Sequence, residues 1–115
     1  MKVKVDFVTN SSSTSYIIGN KTNQRKTLVD FVKENPDLLT DFLDSYSWHK
    51  DDPRYTLENL IKSAESENII FEPNETRECI FGDESNTVVG NVFDYMLRDG
   101  GSSKSFYWYI DEMLR

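Results

Sequence analysis

Polar and apolar residues alternate at the start of the chain, where Val3, Val5 and Phe7 are interleaved with Lys2, Lys4 and Asp6. That is the period of a strand with one buried face, and it predicts a first strand there. Tyr16 to Ile18 predicts a second, short strand closed by Gly19 and Asn20. The run from Thr9 to Thr14 between them reads as a turn by composition. The expectation is a hairpin with the serines at its tip. A polar connection over residues 20–26 leads to Leu28, Phe31 and Val32, which recur at helical spacing. Asn35-Pro36-Asp37 then signals a second helix: Asn35 as cap, Pro36 in the first turn, and Asp37 facing the positive end of the macrodipole. Leu39, Phe42, Leu43 and Tyr46 form its apolar stripe. After a turn at Asp51-Asp52-Pro53, Thr56 is placed to cap a third helix with Leu57, Leu60, Ile61 and Ala64 on one face.

Strand character returns from Asn68 to Glu72, turns at Pro73-Asn74, and resumes from Glu78 to Phe81, which predicts a second hairpin. Ser85 is placed to cap a fourth helix that turns Val89, Val92, Phe93, Met96 and Leu97 inward and ends at Gly100-Gly101. Ser105 to Ile110 has high strand propensity, and Asp111 to Arg115 reads as a short helical turn. The order predicts an α+β fold: a small, mostly antiparallel sheet of about five strands, covered by about four helices. One domain spanning residues 1–115 is expected from the length.

Composition adds constraints. Phe 7, Tyr 6 and Trp 2 belong to a chain with a packed core, since disordered chains are poor in aromatics. Cys79 is the sole cysteine, so no intrachain disulfide can form, and a reducing cytoplasm is the expected location. The first eighteen residues hold no unbroken apolar run, so neither a signal peptide nor membrane association is expected. The formal charge of −7 is uneven: residues 1–26 balance at +4 and residues 27–115 at −11. An acidic surface argues against direct nucleic-acid binding, which needs Lys and Arg to displace counterions.

The candidate chemistry is sparse. Zinc needs several Cys or His ligands, and Cys79 and His49 are the whole supply, so neither a metal nor a cofactor is expected. Cys79 lies in an apolar strand, where a thiol usually packs as a small core residue. The hydroxyl run Ser11, Ser12, Ser13, Thr14 and Ser15 lacks the glycines of a phosphate cradle but is a loop candidate for holding an anionic group, helped by Lys2, Lys4 or Lys21. Asp30 and Glu34 are four apart, and Asp37, Asp41 and Asp44 are spaced i, i+4, i+7, so each set follows one helix face. Such carboxylate rows can imitate the phosphates of a nucleic-acid strand. In the last strand, Phe106, Trp108 and Ile110 point one way and Tyr107 and Tyr109 the other. The tyrosine face is either covered by helices or open to a partner.

The stretch from Lys2 to Tyr16, with its Asp6-Phe-Val-Thr-Asn-Ser-Ser-Ser-Thr-Ser-Tyr16 core, resembles a recurrent opening of small bacterial and phage proteins. Its general form is basic-x-basic-x-Asp/Gly-Phe-Val-Ser/Thr-Asn followed by five serines and Phe or Tyr. This chain has Thr14 for the usual serine, Tyr16 for the usual Phe, and Lys4 where Arg is common. The resemblance implies a bacterial cytoplasm, or a host cytoplasm if phage-encoded, and carries no activity with it. The residues favour a small, acidic, non-enzymatic protein-binding module, in its most specific form an acidic mimic that inhibits a host nucleic-acid-handling enzyme. Two alternatives stay open: a ligand-binding or enzymatic domain built on the Ser11–Ser15 loop, and a structural homo-oligomer joined through Tyr107 and Tyr109.

Overall fold

The computed structural model describes residues 13–46, 51–82 and 87–113. In chain order the elements are β1 (Ser13–Asn20), β2 (Lys26–Thr27), α1 (Leu28–Glu34), α2 (Asp37–Ser45), α3 (Leu57–Glu67), β3 (Ile70–Phe71), β4 (Thr76–Gly82), α4 (Val88–Met96), β5 (Gly101–Ser102) and β6 (Phe106–Met113). The fold is α+β. A four-stranded sheet has the order β4-β1-β6-β5, and β2 pairs with β3 in a separate two-stranded sheet. Every pairing is antiparallel.

The helices lie where their periodicity puts them, because their starts are local. Thr27 caps α1 and makes a capping box with Asp30. Thr56 caps α3 by accepting from the Asn59 amide at 3.1 Å. Thr87, rather than Ser85, caps α4 by accepting from the Gly90 amide at 3.0 Å; Ser85 lies outside the described residues. Asn35 does not cap α2. Its side chain instead donates back to the Phe31 carbonyl at 3.0 Å and so closes α1. Gly100 stands beyond the end of α4, at φ 74°, and turns the chain into β5, a left-handed conformation that glycine adopts without strain.

The strands correct the sequence reading in three places. The predicted first strand lies outside the described residues, and Ser13, Thr14 and Ser15 do not form a turn. They open β1, the strand flanked by β4 and β6, and are buried there. β3 and β4 do not pair with each other: the turn at Pro73-Asn74, where Asn74 is left-handed at φ 58°, carries the chain from one sheet to the other. Residues 111–113 are not helical. β6 continues to Met113, with a bulge at Asp111 where the register against β1 slips between Ser15 and Tyr16.

One face of the four-stranded sheet makes the core. Tyr16 and Ile18 of β1, Cys79 and Phe81 of β4, and Phe106 and Trp108 of β6 are buried in one cluster with Leu28, Phe31, Leu60, Val92 and Phe93 from the helices. Phe31 is its hub, meeting Phe93, Phe106 and Trp108 edge-on at centroid distances of 5.5, 5.2 and 5.2 Å. Two aromatic rings lean across glycines on neighbouring strands. A Cβ on Gly101 would stand 2.6 Å from Cζ2 of the buried Trp108, and a Cβ on Gly19 would stand 2.2 Å from Cζ of the half-exposed Tyr107. These two contacts predict different costs. Gly101→Ala should destabilise by about 1–3 kcal/mol, the usual range for overpacking. Gly19→Ala should lose less, because Tyr107 can swing toward solvent; urea unfolding midpoints of the two variants test the order.

Candidate functional site

The site is built outward from β1. Thr14 and Ser15 are adjacent, so their side chains leave the strand on opposite faces. On the core face, Thr14 Oγ1 donates to Asp94 Oδ1 of α4 at 2.7 Å. The Asp94 carbonyl accepts from Tyr16 Oη at 2.7 Å and from Arg98 Nε at 2.8 Å. Arg98 also pairs with the fully buried Asp94 carboxylate at 3.4 Å and lies over the Tyr95 ring, 4.7 Å from its centroid. Burial, with the Asp94 charge beside it, pushes the Tyr16 phenol up to about 12 against the opposing pull of Arg98. This node is an internal tie between sheet and helix.

On the other face, Ser15 Oγ lies 2.7 Å from Glu78 Oε2 of β4 and 3.1 Å from Asp111 Oδ2 in the β6 bulge. The register continues this outer face with Ile17 and Gly19 on β1, Ile80 on β4, and Tyr107 and Tyr109 on β6. Ile80 is 53% exposed and Tyr109 48%. The two tyrosine rings are parallel within 5°, with centroids 6.4 Å apart. The result is an apolar and aromatic strip bordered by carboxylates on an open sheet face.

The predicted site residues separate into groups. Tyr107 and Tyr109 do lie on the open face. Ser13, Thr14 and Ser15 are buried in a strand and form no loop, so they offer no cradle for an external anion; Ser11 and Ser12 lie outside the described residues, as does His49. Asp30 and Glu34 are occupied internally. Asp30 accepts from the Thr27 amide at 2.9 Å. Glu34 accepts from the Ser103 hydroxyl and from the Ser105 amide at 2.8 Å, which ties α1 to the turn before β6. Asp37, Asp41 and Asp44 are exposed on α2. Sequence reasoning missed Glu78, Asp111, Ile80 and the Asp94–Arg98 pair. The i, i+4 spacing of Asp94 and Arg98, with Asp94 set beside core residues Val92 and Phe93, was the available signal.

Reactive groups are scarce among the described residues. Cys79 is buried, and desolvation pushes its thiol up to about 12, which keeps it un-ionised and poorly nucleophilic at neutral pH. Among the described residues no group of three or more His, Cys, Asp or Glu side chains is arranged to hold a metal ion, and no helix is long and apolar enough to cross a membrane. A half-open groove of ≈ 350 Å³ lies between the start of α1 and the end of α3, lined by Val29, Ala64, Ile69 and Ile70 with Thr27, Glu65 and Asn68. Its Thr27 hydroxyl is already engaged as the α1 cap. No family model, curated protein or solved structure gives a significant match to the chain.

Two expectations follow. Thr14→Val keeps the shape of the strand but removes a donor from buried Asp94, and should cost about 1–3 kcal/mol in urea unfolding. Burial raises the Glu34 carboxyl, but the hydrogen bonds from Ser103 and Ser105 outweigh it and hold the group below its ordinary value of 4.5. A lowered folded value stabilises above the unfolded value, and that contribution is lost as pH falls through the folded one. Glu34→Gln should therefore flatten the acid side of the stability profile, measured as the urea midpoint from neutral pH downward.

Proposed function

We propose that this chain is a non-enzymatic protein-binding module that docks through the open face of its four-stranded sheet. The observation that carries the reading is the exposure of Ile80 and Tyr109, 53% and 48%, on the sheet face opposite the core. Antiparallel sheets tolerate one solvated face, but its positions are ordinarily polar. Here Ile17, Ile80, Tyr107 and Tyr109 give it apolar and aromatic character, the residue types that anchor interfaces. The net charge of −7 suits a partner whose apolar contact is ringed by basic groups. The raised thiol of Cys79 and the internal use of Glu34, Asp30 and Asp94 leave the described residues little with which to make or break bonds.

A second reading has its own support. Asp37, Asp41 and Asp44 are all exposed along α2, and a row of carboxylates there would suit the basic groove of a nucleic-acid-handling enzyme. The resemblance of residues 2–16 to bacterial and phage openings gives that reading a setting, a host cytoplasm. The two readings separate in one experiment. Binding to the partner recovered from the native host is measured for Tyr109→Ala and for a variant with Asp37, Asp41 and Asp44 all changed to Lys. If the sheet face is the interface, Tyr109→Ala weakens binding by about 2 kcal/mol, roughly 30-fold, and the triple reversal changes it little. The opposite pattern transfers the function to α2, and binding untouched by either variant rejects both surfaces.

A further inference from the structure

The groove between α1 and α3 is held open by backbone hydrogen bonds. Thr27 is at once the last residue of β2 and the cap of α1, and it stands opposite Ile70 in the pairing of β2 with β3. The Leu28 amide donates to the Ile69 carbonyl at 3.1 Å. On the other wall α3 ends at Glu67. Asn68, left-handed at φ 54° and with its amide on the Glu65 carbonyl, turns the chain into Ile69 and Ile70. Both walls are therefore tied to the same two-stranded sheet. A preformed cavity binds at a lower ordering cost than one assembled around its ligand. The volume of ≈ 350 Å³ falls at the small end of the range for ligand sites, which are mostly apolar with a few polar groups.

The chemistry of the lining selects the ligand. Val29, Ala64, Ile69 and Ile70 supply an apolar surface. At the α1 wall the donors are already used: the Leu28 amide by Ile69, the Asp30 amide by Thr27 Oγ1 at 3.3 Å, and the Thr27 hydroxyl by Asp30 Oδ2 at 3.2 Å. That wall has little to offer an anion. The α3 wall is negative. Exposed Glu65 lines the groove, Glu67 follows it, and the last turn of α3 carries no basic residue. These carboxylates stand at a helix C-terminus, the negative end of the macrodipole, where a cation is favoured. The neighbouring cations are engaged with other acceptors. Lys62 pairs with Glu58 at 3.5 Å, Lys26 lies close enough to Glu34 to help lower its carboxyl, and Arg77 donates to the Ile70 carbonyl at 3.1 Å. We propose that the groove binds a small organic amine in its ammonium form, with the hydrocarbon on Val29, Ala64, Ile69 and Ile70 and the nitrogen at the Glu65 carboxylate. The occupant is a free amine and not the lysine of a partner protein, because the cavity is bounded by two helix ends and holds one compact molecule.

The groove shares no lining residue with the open sheet face, so this site stands apart from the partner reading above. Tyr109→Ala should leave amine binding unchanged, and the failure of one proposal is visible separately from the failure of the other. The probe is phenethylammonium, with phenethyl alcohol as its uncharged counterpart of like shape. Each is titrated into isotopically labelled protein and followed by amide chemical shifts. Phenethylammonium at millimolar concentrations should give saturable shifts centred on Val29, Ala64, Glu65, Ile69 and Ile70. The alcohol should bind the same place about fivefold more weakly, the upper value for an exposed ion pair. Glu65→Gln should erase that difference. Because Glu65 is exposed, the substitution leaves the core untouched, and an unchanged urea midpoint confirms it. No saturable shift, equal affinity for amine and alcohol, a preference that survives Glu65→Gln, or shifts centred on Tyr107 and Tyr109 would overturn the proposal. So would a lysine-containing peptide that binds in the groove while the free amine does not.

Discussion

Thr14 and Ser15 sit side by side in a strand flanked on both edges, where water does not satisfy a hydroxyl and an acceptor must come from the protein. Asp94 supplies one from the helix side, and on the open side Glu78 at 2.7 Å and Asp111 at 3.1 Å are alternative acceptors for the single Ser15 proton. Each of these contacts joins elements far apart in the chain. Thr14 fastens β1 to α4 across 80 residues, and Ser15 reaches β4 across 63 and β6 across 96. The bulge at Asp111 belongs to the same arrangement. It slips the β6 register at Ser15 and brings the Asp111 carboxylate within reach of the Ser15 hydroxyl. Two neighbouring hydroxyls thus pin the order and register of three strands and the seat of α4.

Around that polar spine the core is aromatic. Phe31 meets three rings edge-on, and Phe81 and Phe71 extend the cluster to Phe93 and Phe106. Large rings in a small domain need room, and two glycines provide it. Gly101 lets Trp108 lie across β5 on the core face, and Gly19 lets Tyr107 lie across β1 on the outer one. The same device, a ring over a neighbouring glycine, therefore serves packing on one side of the sheet and shapes the tyrosine pair on the other.

The acidic residues divide by the same logic. Asp30 closes a capping box, Glu34 holds the turn before β6, and Asp94 anchors the buried node. These charges are internal acceptors, and their spacing along a helix says nothing about a partner. Asp37, Asp41 and Asp44 are left on the surface of α2. Counting carboxylates in the sequence could not separate the two classes, because the difference lies in whether the fold leaves each side chain inside or on the surface.

The helices were legible from the residues alone. Their apolar spacing and the cap at Thr56 act within a turn or two, so local sequence carries the information, although the caps of α1 and α4 are Thr27 and Thr87, which the spacing did not single out. Alternation likewise separated Phe106 and Trp108 from Tyr107 and Tyr109, because strand geometry sends neighbours to opposite faces whatever the partner. Pairing was not legible. β3 and β4 look like a hairpin, yet each joins a different sheet, and a serine run that reads as a turn opens the most enclosed strand of the fold. A buried serine and a turn serine have the same composition and differ only in whether an acceptor waits for the hydroxyl. Those acceptors, Asp94, Glu78 and Asp111, lie 63 residues or more away, and only the folded chain brings them there.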